Sequence, residues 1–349
     1  MRLTLAITAV ALQLLALGYL AGEREWVVHT GRMVWLRTAP IDPRDVMRGD
    51  YVQLDYEIGR VDRALRRNGL TNQTESVAGR GPETRVYASL RVNPDGLAEV
   101  TALSDLKPKE GLFLRGKLDP ARAWNWNGAI RYGLEAFFME QGQAKGLEND
   151  RSQARRGVPL NMEVAVGANG LGVLKGYRWE SLGIIAAFDT VRRTNLQSSF
   201  PQTQNVIVGA KVELKNHGPD PVAIVDLPEG RSFGLVCDAR WQEPAYRWGG
   251  ETNTLPTPEP RNLIVLQPGQ SHTNHFDLTQ PEWFVVDIRT NAVSRLPAPL
   301  QKLAPDWSIG FRIEYRPPPA EACAKLPNAK RIWHGWLRSQ WFNPMGNVD

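Results

Sequence analysis

Residues 3–22, "LTLAITAVALQLLALGYLAG", carry no charge and follow Met1-Arg2. As a helix at the usual rise this stretch spans about 30 Å, the thickness of a bilayer core. It constrains the chain more than any other segment, because water is a poor solvent for it. Two readings fit: a membrane anchor, or a secretory signal with Ala16-Leu17-Gly18 as a small-x-small cleavage site. Both address the chain to a membrane, so residues 1–25 are set apart as signal anchor or signal peptide. Arg24, Arg32 and Arg37 outnumber Arg2 beside the span, which by the positive-inside count favours a cytoplasmic body. That count loses force before a long domain, and the short amino-terminal region behaves as a signal does. The body is therefore expected to be periplasmic or otherwise extracytoplasmic.

The chain has 349 residues, enough for two cores. Its 12 tryptophans and 25 prolines lean towards β-rich, loop-rich structure. A mainly β fold is expected in two parts. Residues 26–179 offer strands in "EWVVHTGRMVWLRTA", "DYVQLDYEI", "TRVYASLRV", "LAEVTAL" and "GLFLRGKL", with one or two short helices and a hairpin turning at Asn169-Gly170. Residues 180–204 are polar and weakly periodic, and read as a linker. Residues 205–343 then supply about seven short strands of the kind that build a β-sandwich. In "NVIVGAKVELKN" the apolar residues Val206, Val208, Ala210, Val212 and Leu214 alternate onto one face. "DWSIGFRIEYR" follows the pattern of an immunoglobulin-like strand F, where an aromatic follows a Gly at a sheet corner. Here Phe311 takes that place without a hydroxyl, and Tyr315 lies further along.

Residues 42–58, "DPRDVMRGDYVQLDYEI", crowd acids, arginines and tyrosines around one Gly-Asp step. Asp42 can cap a helical turn, Pro43 suits its first position, and Asp45 adds a first-turn carboxylate. Gly49 can take a positive φ before a strand with Val52, Leu54, Tyr56 and Ile58 on one face. Tyr51, Gln53, Asp55 and Glu57 then share the polar face. The words "GDYVQLDY" resemble the GDYXXLXY family of bacterial membrane-anchored proteins, with Gly49, Asp50, Tyr51, Leu54 and Tyr56 at all five defining positions. A second block, "RYGLEAFFMEQGQAKGLE", is similar to the family's Tyr-Gly-x-Glu segment through Tyr132, Gly133, Glu135, Phe138, Glu140 and Gly142. The resemblance covers roughly residues 1–179. It implies a membrane anchor and a fold neighbourhood, and it brings no established activity.

One reading assembles Asp42, Asp45, Asp50 and Glu135 as an acid–base site, which needs two carboxylates in unequal environments. The competing arrangement pairs them with Arg44 and Arg48 in a network that pins the loop and keeps the acids ionised; this structural network is the expectation. The Gly-Asp turn also resembles one in type I signal peptidases, but Thr38-Ala39-Pro40 lacks their serine, so peptidase activity is not expected. Arg48-Gly49-Asp50 is an adhesive tripeptide in form, and the start of a strand explains it better. His272 and His275 point to opposite faces of a strand, so no metal is expected. Trp124 and Trp126 in "AWNWN" share a strand face and form a candidate platform for a sugar or peptide, unless they pack on a neighbouring domain or the membrane interface. Cys237 and Cys323 are expected to be bridged if the body lies in an oxidising compartment.

The net charge of +5 is carried by scattered arginines, so nucleic acid is not an expected partner. No cofactor is expected. The expected function is a non-catalytic, membrane-anchored envelope protein that binds or braces a protein or glycan partner. The alternatives are an envelope hydrolase using Asp50 and Glu135, and a glycan-binding module using Trp124 and Trp126.

Overall fold

The apolar segment and the charged residues after it form one helix, α1 (Arg2–Thr30). Its stretch Ala6–Thr30 is long and apolar enough to cross a membrane. Leu15 and Tyr19 are 70% and 71% exposed, so the body does not cover this surface. The computed structural model describes residues 2–38, 51–59, 65–71, 84–118, 130–138, 157–195, 202–239, 246–248, 256–280, 283, 285–287 and 309–343. Helix continues beyond the apolar run, so "EWVVHT", expected as strand, is helical instead. Two contacts explain the extension. Val27 is buried against Gly167, and Glu23 Oε1 accepts from Asn169 Nδ2 at 2.7 Å. The body therefore grips the last turns of α1 directly.

The first core is built from β1 (Arg32–Arg37), β2 (Tyr51–Gln53), β3 (Thr84–Val92), β4 (Ala98–Ser104), β5 (Leu112–Leu118), β6 (Ile130–Arg131), β7 (Ala136–Phe138), β8 (Leu160–Val166) and β9 (Gly172–Trp179). They pair as β1-β8-β9, β4-β3-β5-β6 and β2-β7. In β3 the period-two pattern is plain: Val86, Ala88 and Leu90 are buried between outward Arg85, Tyr87, Ser89 and Arg91. The Asn169-Gly170 hairpin turn forms as expected. Gly170 has φ +79°, and a Cβ there would meet the Phe113 ring at 2.5 Å, so glycine is required twice over.

The second core uses β10 (Leu182–Asn195), β11 (Gln202–Asn216), β12 (Val222–Val225), β13 (Phe233–Ala239), β14 (Tyr246–Trp248), β15 (Leu263–Leu266), β16 (Ser271–Asp277), β17 (Val285–Asp287), β18 (Ile309–Tyr315) and β19 (Leu337–Arg338). Sheets β10-β11-β16 and β13-β18-β19 share one core, with β12-β15 and β14-β17 as smaller pairs. Ile184, Val212 and Leu214 from the first sheet pack with Leu235, Phe311, Ile313 and Tyr315 from the second. The buried Tyr315 hydroxyl donates to Val225 O at 3.1 Å and accepts from Val225 N at 3.0 Å.

The stretch 180–204 is not a linker where it is described. Residues 182–195 are β10, paired from Leu182↔Asn216 to Asn195↔Gln202 with β11. The polar arms of a hairpin are held by backbone bonds and need no apolar face, which is why periodicity missed them. A bulge between Asp189 and Thr190 shifts the register, and both Val206 and Ile207 are buried beyond it.

Candidate functional site

The two motif blocks meet in the first core. Tyr51, Val52 and Gln53 pair antiparallel with Phe138, Phe137 and Ala136. Leu54 is fully buried, and its N–H donates to Glu135 O at 2.8 Å. The two tyrosines then cross. Tyr56 Oη donates to Leu134 O at 2.9 Å, and Tyr132 Oη donates to Ile58 O at 2.8 Å, so each block anchors the other's backbone. Burial, reinforced by the Glu135 charge, pushes both phenols well above their ordinary pKa. Glu135 clamps its own turn. Its Oε1 accepts from Tyr132 N–H at 2.6 Å and its Oε2 from Gly133 N–H at 3.0 Å, across a glycine with φ +77°.

One residue past Tyr56, Glu57 faces the second core. Its Oε2 accepts from the Trp336 indole Nε1–H at 2.7 Å, and its Oε1 lies 3.6 Å from Arg338. Arg338 Nε in turn donates to Glu314 Oε2 at 2.8 Å, and Arg316 Nε to Glu314 Oε1 at 2.9 Å. Burial alone would raise the Glu314 carboxyl, but Arg338 and Arg316 hold it below the usual carboxylate range. Trp336 lies between two guanidinium groups, with Arg37 at 4.8 Å and Arg316 at 5.4 Å from its ring.

Arg37, at the end of β1, is buried and centres the same junction. Its Nε donates to Asn161 Oδ1 at 3.3 Å, and its Nη2 is 3.6 Å from Glu180. Glu180 also accepts from Asn161 Nδ2, accepts from Trp333 Nε1–H at 3.3 Å and lies 3.8 Å from Arg178. Burial lowers the Arg37 pKa against the opposing pull of Glu57 and Glu180. Among the described residues, neither Nη of Arg37 has a hydrogen-bond partner. Glu57, Glu180, Arg37 and Asn161 come from the first core or its edge; Trp333, Trp336, Arg338, Glu314 and Arg316 come from the second. Chemically, the arrangement saturates carboxylates with donors and locks two cores together.

The family model described as "GDYXXLXY protein" matches residues 13–176. Those residues, a little under half of the chain, are similar to the GDYXXLXY family. No curated protein and no solved structure matches the chain. The GDYXXLXY region thus runs from inside α1 to within β9, and the junction lies where it meets the rest of the chain.

Of the GDYXXLXY residues singled out from sequence, Leu54, Tyr56, Tyr132, Gly133 and Glu135 are brought together. Tyr51 joins them through its backbone. Asp42, Arg44, Asp45, Arg48, Gly49, Asp50, Trp124, Trp126 and Glu140 lie outside the described residues. Cys323 is a buried free thiol, donating from Sγ to Pro318 O at 3.7 Å, while the Cys237 side chain lies outside the described residues. His272 pairs with Asp226 at 2.9 Å. Among the described residues, no group of three or more His, Cys, Asp or Glu is placed to hold a metal. Sequence reasoning missed Glu57, Glu180, Arg37, Trp333 and Trp336. The available signal was the indole pair in "RIWHGWLRSQWF", too polar in its surroundings for a plain core strand.

Proposed function

We propose that this is a non-catalytic envelope protein, anchored by α1 with its body outside the cytoplasm. Two β modules, the second immunoglobulin-like in its strand pattern, act as one rigid piece that binds or braces an envelope protein or glycan. The observation that carries this reading is the junction around Trp336, where Glu57, Arg37 and Arg338 are matched across two cores. A brace transmits force only if its parts do not rotate, and buried matched charges resist rotation. Glu135 supports the same reading over the hydrolase alternative with Asp50. Both its oxygens accept backbone N–H bonds from Tyr132 and Gly133, so the carboxylate is taken up in holding its own turn.

Two measurements test the proposal. A reporter fused after Asp349 should be active only when exported; activity confined to the cytoplasm overturns the topology. Purified full-length protein should leave envelope polymers intact. Turnover that Glu135→Gln abolishes while the melting temperature holds would overturn the non-catalytic reading.

A further inference from the structure

The edge of β10 is a self-complementary strand. In the described residues β10 is paired on one side only, in the order β10-β11-β16. Its outward backbone groups are capped at its start. Ile184 N–H donates to Gly157 O at 3.1 Å, and the Gln340 side-chain amide takes both Ala186 N–H, at 3.1 Å, and Ala186 O. Strand alternation then directs the N–H and C=O groups of Phe188, Thr190, Arg192 and Thr194 to the same outward side. Asp189, Thr190, Val191 and Arg192 are exposed, with Val191 at 39%. This is the unblunted part of the edge, where proteins ordinarily place a cover or a partner.

We propose that a second copy of this chain pairs there, antiparallel, about a two-fold axis through Val191. That register is the one the strand itself specifies. It sets Thr190 opposite Arg192 and Phe188 opposite Thr194, all outward-facing positions that form hydrogen-bonded pairs. The register sets position 189, an aspartate, opposite position 193, an arginine, once on each side of the axis, so the sequence itself supplies opposite charges at both pairs of positions. Val191 faces its own copy at a non-hydrogen-bonded pair, where side chains approach most closely. Gln340 ends the pairing, because beyond Asn195 the incoming strand would meet the capped Ala186. A one-residue slip turns the outward groups away, and a two-residue slip keeps them but sets position 189 opposite Val191 or Asn195, so of these registers only the one through Val191 also matches opposite charges. The interface is isologous, as closed dimers require.

The test uses the full chain in detergent micelles. In the proposed dimer the two Cβ atoms at position 191 stand about 5 Å apart, near disulfide reach. Mild oxidation of Val191→Cys should give a covalent dimer, with the 191–191 link mapped by mass spectrometry. Wild type, carrying Cys237 and Cys323, sets the blank. Ile185→Cys, 40% exposed on the same strand face, should cross-link at least about tenfold less, because its register partner is far from its own copy. Asp189→Arg should weaken the non-covalent dimer about tenfold, and adding Arg193→Asp should restore it. Equal cross-linking at positions 185 and 191, a monomer at all concentrations, or a charge swap without rescue would each overturn the proposal. Asp189 is exposed, so none of these outcomes is confounded by unfolding.

Discussion

Removing Glu57 tests whether the junction welds the two cores. The side chain is 11% exposed and serves two partners from the second core, the Trp336 indole at 2.7 Å and Arg338 at 3.6 Å. Glu57→Gln keeps an oxygen for the indole but removes the charge beside Arg338 and Arg37. Breaking a buried pair from one side costs about 3–5 kcal/mol when nothing else compensates. Here Arg338 keeps Glu314 and Arg37 keeps Glu180, so the expected cost is nearer about 2 kcal/mol. Glu57→Ala also strands the indole N–H, adding about 1–3 kcal/mol. Trp336→Phe leaves a ring near both guanidinium groups but no donor, and should cost about 1–2 kcal/mol. Urea unfolding, followed by tryptophan fluorescence and by circular dichroism, measures all three and the Glu57→Ala/Trp336→Phe double variant. The pair should couple by about 1–2 kcal/mol, and the two probes should separate once the weld is cut. Additive costs, or Glu57→Ala costing less than about 0.5 kcal/mol, would refute the weld.

Two further outcomes follow from the same contacts. Glu135→Gln should cost about 1–2 kcal/mol, because one of two backbone N–H groups then faces an amide N–H₂ instead of an oxygen; a calorimetric melt with an unchanged midpoint would contradict the clamp. Glu314, held below its ordinary value of 4.5 by Arg338 and Arg316 despite burial, binds protons more weakly when folded than unfolded. Its contribution is therefore fully present above about pH 4.5 and lost as pH falls through the lowered value. Glu314→Gln should flatten the acid limb of the stability profile, and an unchanged limb in acid titration would count against that assignment.

How much of this was legible depends on the range of the interaction. The apolar span, the alternation of β3 and the Asn169-Gly170 turn are local, and each formed as the residues imply. The register of β2 on β7 was not local, although both motif blocks stood out in the sequence. Glu135 was recognised as an acid of interest, but its role needed the turn it clamps, which only the φ of Gly133 makes obvious. The strand β10 was missed because its exposed arm carries Asp189, Thr190 and Arg192, residues with no face to bury. Tyr315 was legible only as an apolar-face residue of its strand, and its bond to Val225, 90 residues earlier, depends on a packing the sequence does not display.

The polar face of the motif strand shows why its chemistry was hard to read. Sequence alternation sorts Leu54, Tyr56 and Ile58 to one side, and all three are buried, although the strand ends at Gln53 and Glu57–Gly59 form a 3-10 turn. By the same rule Glu57 belongs to a wet face, and an acid on a wet face asks for no explanation. The structure covers that side with the second core, so the acid is polar because its neighbour across the junction is an indole N–H and a guanidinium. An apolar residue there would suit many docking angles, since apolar contact has no direction. A buried carboxylate suits only the angle at which its donors are met, and every other angle leaves charge unpaired at a cost of several kcal/mol. Glu180 adds a second contact from the other end of the junction through Trp333, while Arg37, Asn161 and Arg178 of its own core hold the carboxylate in place. Glu57, fixed in the first core and met by Trp336 and Arg338 of the second, and Glu180, reached across the junction by Trp333, are both paired in this relative orientation of the modules.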